Sequence, residues 1–372
     1  CVGGMARIGL CSHWTCLFAN DIAAKKAAAY RAFFGHDECL VIGDVAKVST
    51  GDLRGKADLA WASFPCQDLS LAGNGAGLGG NRSGTFWAFW RLMEQLGEAG
   101  RAPRVIVLEN VYGAITSHSG RDLATIADTL VSAGYYFGPI VIDAIHFLPQ
   151  SRPRLFVVAV DRTYRLPARL LSHGPMLPWH PDAFELAYNR AAETTRVNWV
   201  WWTLPIPAPA PATLSELIED EPTGIEWHTQ LDTKRLLQMM SPINGRKVAE
   251  AKLLRRKTVG TLYRRTRVDQ DGIKRQRAEV RFDEVSGCLR TPVGGSSRQT
   301  VMIVNGNEVR SRLLSPREAA RLMGVPERYP LPSNYNEAYH VFGDGVAVPV
   351  VQHLEKNLIR PLLGLSKIAR AA

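Results

Sequence analysis

With 372 residues, 46% of them hydrophobic, the chain can bury a full α/β core and still carry a second, smaller domain. Lys and Arg number 45 against 35 Asp and Glu, a formal charge of +10, which favours a polyanionic partner: nucleic acid first, an anionic membrane surface second. No charged-then-apolar leader and no uncharged run near the roughly 20 residues that span a bilayer is visible, and Cys1, Cys11, Cys16, Cys39, Cys66 and Cys288 form no CxxC pair. The sequence therefore reads as a soluble intracellular protein with reduced thiols and neither zinc nor another metal.

From residue 16 to 160, apolar runs alternate with helical patterns. Residues 16–19 read as a strand, 23–34 as a helix, 40–42 as a strand, 59–62 as a strand, 86–96 as an amphipathic helix, 105–108 as a strand, 122–132 as a helix and 155–160 as a strand. This βαβ rhythm predicts an α/β fold: a Rossmann-like, mostly parallel sheet with helices on both faces. Near residue 163 the texture changes. Trp199, Trp201 and Trp202 precede the proline-rich run 204–211, which cannot be helix or central strand. Residues 252–281 then hold eleven Lys or Arg against three acids, with Tyr263 among them. Ser315-Pro316-Arg317-Glu318 reads as a helix start, with a Ser cap, Pro in the first turn and Glu three residues on. The expected division is a catalytic domain over 1–162, a smaller irregular domain over 163–305, and a segment over 306–372 that returns to the first.

Two residues carry candidate chemistry. Cys66, in Ser63-Phe64-Pro65-Cys66-Gln67, follows a predicted strand at its C-terminal end, where open α/β sheets place their sites; a thiolate there suits attack on an electrophilic carbon. Taken alone, a lone cysteine is more often a small buried residue. Glu109 ends the run 105–108 and places an ionisable group where an apolar strand meets a loop, although a glutamate in that position is commonly a solvated loop residue.

Pro65-Cys66-Gln67, Glu109-Asn110-Val111 and Gln150-Ser151-Arg152-Pro153-Arg154, in that order, resemble the signature motifs of the DNA cytosine-C5 methyltransferases. Residues 312–324 and 342–349 extend the resemblance over nearly the whole chain apart from its middle. The resemblance implies a class I methyltransferase that uses S-adenosylmethionine, yields S-adenosylhomocysteine and acts on double-stranded DNA. Carried over by position, Cys66 attacks C6 of cytosine, Glu109 engages N3, Arg154 contacts O2 and Arg152 supports the site. The base that removes the C5 proton is not identified, a water being one candidate. The target cytosine leaves the duplex to be reached, and residues 67–85, with Gln67, Ser70 and Arg82, resemble the loop that closes over it.

On the cofactor side, Gly3 and Gly4 resemble the end of a glycine-rich turn, Asp21 the ribose-binding acid, Ile22 a packing residue for adenine, and Asp44 with Val45 the adenine contact. Pro65, Asp344 and Val346 complete the implied cofactor set. The first motif is represented only by its end, with Val2 in place of a glycine, and Asp344 stands where Asn is common. The middle region resembles a target-recognition domain. There Arg255, Arg256, Lys257, Arg264, Arg265 and Arg267 are candidates for phosphate neutralisation, and Arg290 and Arg298 for a guanine edge. For any one of them, a solvated surface charge is an equal reading. Three rivals remain open: an RNA cytosine-C5 methyltransferase on the same scaffold, a catalytically silent DNA-binding homologue, and an oxidoreductase, which lacks its full GxGxxG. The remaining expectations are a monomer, in the cytoplasm or nucleoid of a bacterial or phage-infected cell, serving restriction-modification or phage self-protection.

Overall fold

Val105, Ile106, Val107 and Leu108 are each at most 2% exposed, and their unbroken apolar run is explained by burial on both faces of a sheet. Val105 and Val107 pack with Phe156 and Val158 on one side. Ile106 and Leu108 pack with Val157 and the helices on the other. Each such side chain contributes about 2 kcal/mol by leaving water. The computed structural model describes residues 2–35, 38–64, 84–268, 271–291 and 297–364.

Two strands near the N-terminus, β1 (Ala19–Asp21) and β2 (Leu40–Ile42), form a parallel pair. They flank helix α2 (Ala24–Phe34), which follows α1 (Met5–Leu10). The larger sheet has the order β3-β4-β6-β5, from β3 (Leu59–Ser63), β4 (Val105–Val111), β5 (Tyr135–Asp143) and β6 (Pro153–Asp161). Strand β3 is parallel to β4, whereas β6 runs antiparallel to both β4 and β5. The α/β class is as the alternation implies, but the sheet is mixed. The nine residues between β5 and β6 are too few for a crossover helix, so β6 turns back beside β5.

Helices α3 (Thr85–Glu98) and α4 (Arg121–Ser132) cover one face, α3 burying Phe86, Trp90 and Met93 at helical spacing. A short antiparallel pair, β7 (Leu171–Ser172) and β8 (Trp201–Trp202), holds the tryptophan-rich stretch expected in the smaller domain. That stretch packs on the large sheet: Phe137 N donates to Asn198 O, Val200 N to Phe137 O, and Trp202 Nε1 to Gly138 O.

A second sheet, ordered β10-β9-β11-β12, is built from β9 (Thr258–Val268), β10 (Lys274–Arg281), β11 (Thr300–Asn305) and β12 (Glu308–Leu313), all antiparallel. One face, with Leu262, Ala278, Val280 and Met302, is covered by α5 (Gln230–Gln238) and α6 (Pro242–Leu253). The other, with Val259, Val301 and Ile303, joins the main core. The expected helix start is realised in α7 (Pro316–Leu322). Ser315 Oγ accepts from Glu318 N at 3.1 Å, Glu318 Oε2 accepts from Ser315 N at 2.8 Å, and Pro316 occupies the first turn. Helix α8 (Tyr335–Asp344) follows. Among the described residues no helix is long and apolar enough to cross a membrane.

Candidate active site

The parallel register sets Ser63 opposite Glu109, so the chain leaves β3 at the strand end that carries the glutamate. Asn110 Nδ2 donates to Phe64 O at 3.2 Å and secures that exit. Pro65, Cys66, Gln67, Ser70 and Arg82 lie outside the described residues.

Glu109 is buried, and its Oε1 lies 3.3 Å from Arg154 Nε, both side chains being nearly excluded from water. The pairing follows from the antiparallel register, in which Glu109 faces Phe156 and Val111 faces Arg154, leaving Glu109 and Arg154 diagonal on one face. Arg152 is 1% exposed and serves a different purpose. Its guanidinium donates to Leu289 O and Gly343 O at 2.8 Å and to Gly345 O at 2.5 Å, joining the strand end to the segment between β10 and β11 and to the end of α8. Burial first, then the neighbouring Arg154, lowers its pKa to about 10, so it remains a cation at neutral pH.

Three further residues hold this frame. Asp143 Oδ1 accepts from Arg152 N at 2.6 Å and fixes the turn before β6. Gln150, fully buried, donates to Leu322 O and accepts from Leu289 N at 3.1 Å. Tyr263 donates to Cys288 O, and burial raises its phenol well above the ordinary value, so it stays a donor. Asn110 and Gln150 stand inside the sequence motifs without an evident role. Asp143 and Tyr263 carry no local signal, because their partners are distant in sequence.

A cavity of about 650 Å³ opens between the β1 side and β3, walled by Trp14, Phe18, Trp61, Phe64 and Phe89. Of the expected cofactor residues, Val45, Asp344 and Val346 line it. Asp21 does not line it; buried next to Asn20, which does, it accepts at Oδ1 from Ala23 N at 2.9 Å, while Asp44 accepts from Ala46 N at 2.9 Å and Ile22 is 72% exposed. Gly3 and Gly4 have positive φ, and a Cβ on either would lie within 2.6 Å of Val341 or Phe34. Close packing within the protein therefore accounts for both glycines. Asp344 is held by Lys26 at 2.6 Å and by the hydroxyl of Thr291.

The basic candidates separate. Arg255, Arg256 and Lys257 are exposed at the start of β9, Lys257 paired with Asp220, while Arg264, Arg265 and Arg267 stand at its far end. Arg290 is exposed. Arg298 is engaged by the protein itself, bonding Asn336 and lying over the Tyr335 ring. Among the described residues no group of His, Cys, Asp or Glu could hold a metal ion.

A family model described as C-5 cytosine-specific DNA methylase matches residues 2–360. The chain is 25% identical over 355 residues to the type II methyltransferase M.BsuFI of Bacillus subtilis, covering 94% of this chain and 68% of that one. It is also 25% identical over 369 residues to M.HpaII of Haemophilus parainfluenzae, covering 93% and 84%. Its fold is similar to the crystal structure of the S. pombe Dnmt2 methyltransferase, with a TM-score of 0.59 at 16% identity over 97% of this chain and 96% of that one.

Proposed function

The chain belongs to the C-5 cytosine-specific DNA methylase family, and from that premise we propose that it methylates carbon 5 of a cytosine flipped out of a specific duplex DNA sequence. The observation that carries this reading is the buried Glu109–Arg154 pair at the end of β4, beside the point where the chain runs on toward Cys66.

The thiolate of Cys66 bonds to C6 of the flipped base. Arg154 Nε, 3.3 Å from Glu109 Oε1, holds the carboxyl group in position at the strand end. As the guanidinium turns to the base's O2, the carboxyl group is freed to hold a proton at N3, which draws electron density away from C6 and eases attack. The aromatic cavity, with Val45, Asp344 and Val346 in its lining, would hold S-adenosylmethionine, which would supply the methyl group taken by C5 and leave as S-adenosylhomocysteine. A base then takes the C5 proton, the electrons of that bond re-form the ring double bond, and the C6–S bond breaks to return Cys66. The aromatic walls and the cavity volume fit the purine nucleoside part of such a ligand.

Two relatives named as type II methyltransferases support a place in restriction-modification, with phage self-protection as the alternative setting. A DNA substrate puts the enzyme's work in the cytoplasm, at the nucleoid. The test is a duplex carrying 5-fluorocytosine in many sequence contexts, incubated with S-adenosylmethionine. Fluorine cannot leave as a proton does, so a covalent protein–DNA adduct should accumulate with wild type and vanish in Cys66→Ser. An adduct with RNA and none with DNA would overturn the substrate assignment.

A further inference from the structure

Strands β1 and β2 and helix α2 enclose a small core of their own. Ala19, Ala27, Tyr30 and Leu40 are buried there, with Phe34, Cys16 and Cys39 packed against them. Leu40 lies opposite Ala19, and Ala19 N donates to Cys39 O at 2.8 Å, so the residues that lead into the two strands run side by side. That register brings together two thiols 23 positions apart, which no CxxC spacing announces. Cys39 Sγ donates to Cys16 Sγ at 3.1 Å, about 1 Å beyond the length of a disulfide bond.

The two sulfurs have different surroundings, and the difference gives each a task. Cys16 belongs to the lining of the large cavity, from which a small solute reaches it, whereas Cys39 does not. Arg7 Nη1 lies 3.8 Å from Cys39 Sγ, and the Tyr30 hydroxyl lies 3.6 Å from it and 3.9 Å from Cys16 Sγ. A guanidinium in that place offers a counter-charge to a sulfur acting as nucleophile. Cys11 and Cys288 are engaged differently: Cys11 Sγ donates to Gly9 O at 3.2 Å, and Cys288 Sγ accepts from Arg152 at 3.2 Å.

We infer that Cys16 and Cys39 are a peroxide-sensitive pair that closes into a reversible disulfide. The Cys16 sulfur attacks one oxygen of hydrogen peroxide, the O–O bond breaks, one water leaves, and Cys16 carries a sulfenic acid. Cys39 Sγ then attacks Cys16 Sγ. The S–S bond forms, the S–O bond breaks, and the hydroxyl departs with the Cys39 proton as a second water. Each sulfur gives up one electron and the peroxide takes two. An external dithiol restores both thiols by exchange and is itself oxidised. The bridge ties the lead-in of β1 to that of β2 across α2, and the inference does not depend on the methyl-transfer reading.

The experiment treats the reduced full chain with hydrogen peroxide, blocks the remaining thiols with N-ethylmaleimide under denaturing conditions, and maps tryptic peptides by mass spectrometry without reductant. Wild type should lose both thiols and yield a linked Cys16–Cys39 peptide pair two hydrogens lighter than its parts. Fragmentation assigns the bridge, because Cys11 shares the tryptic peptide of Cys16. Dithiothreitol should return both thiols, Cys11→Ser should keep the bridge, and Cys39→Ser should leave a sulfenic acid on Cys16 that dimedone traps. Oxidation of the two residues singly with no bridge, or bridging of either to Cys11 or Cys288, would overturn the pairing. So would a Cys16–Cys39 bridge that forms no faster in the folded chain than in urea, since the fold would then contribute nothing.

Discussion

Arg152 and Arg267 carry the same charge in opposite settings. Arg152 is sealed behind the strand ends and donates to three carbonyls from two distant parts of the chain. Arg267 has a side chain 54% exposed and shares Glu279 with Arg265 across a ribbon surrounded by water. Burial lowers the pKa of the first, and its carboxylate partner raises that of the second. The contrast teaches that a cation's role follows from its solvent. At the dry strand end it organises backbone, because bare carbonyls there are costly. On the wet ribbon it adds little to folding and stays available for an outside anion.

The largest effect should come from removing the dry cation. Arg152→Met should lower stability by about 3–5 kcal/mol by urea denaturation, since buried acceptors lose their donors. Lysine should not rescue it, because one ammonium cannot span the same carbonyls. A loss under about 1 kcal/mol, the worth of a single ordinary hydrogen bond, would erase the proposed distinction between the two arginines. Glu109→Gln should come next, with methylation slowed about 10²- to 10⁴-fold at nearly unchanged thermal stability. Equal losses of fold and rate would make Glu109 a structural residue only.

A third setting sharpens the comparison. His180 is 2% exposed, accepts from Met176 N at 2.9 Å, and has its pKa pushed down to about 4 by burial. A base with a depressed folded pKa binds protons more readily when unfolded. Its contribution is thus complete above the ordinary 6.5 and is lost as pH falls toward about 4. Thermal melts of wild type and His180→Gln should therefore converge on acidification through that window, and parallel curves would argue against the assignment. The smallest effect belongs to the ribbon: Arg267→Gln should shift stability by less than about 0.5 kcal/mol. A loss of several kcal/mol would mean that the ribbon is part of the folding core.

Local signals in the sequence carried much of the architecture. The unbroken run 105–108 marks a strand buried on both faces, and Ser315-Pro316-Arg317-Glu318 specifies its helix start through bonds made within four residues. The motif residues Glu109, Arg152 and Arg154 stand out for the same reason, as charged groups beside apolar strands. The reversed direction of β6 is less legible, since a strand's composition does not reveal which way its neighbour runs. The tryptophans at 199, 201 and 202 look like a change of domain, yet they close the edge of the large sheet, because large aromatic surface is buried wherever an open edge and face offer room.

By itself the sequence determined the α/β class, the family resemblance and the chemical types of the site, all of which depend on neighbours within a few residues or on ordered short motifs. Only the tertiary structure decided how those groups divide their tasks. It paired Glu109 with Arg154, spent Arg152 on carbonyls near positions 289, 343 and 345, turned Arg298 inward, and split one basic stretch between the two ends of β9. The physical reason is that burial and register are collective: which charge is dry, and which face it occupies, is set by strands and helices brought from elsewhere in the chain.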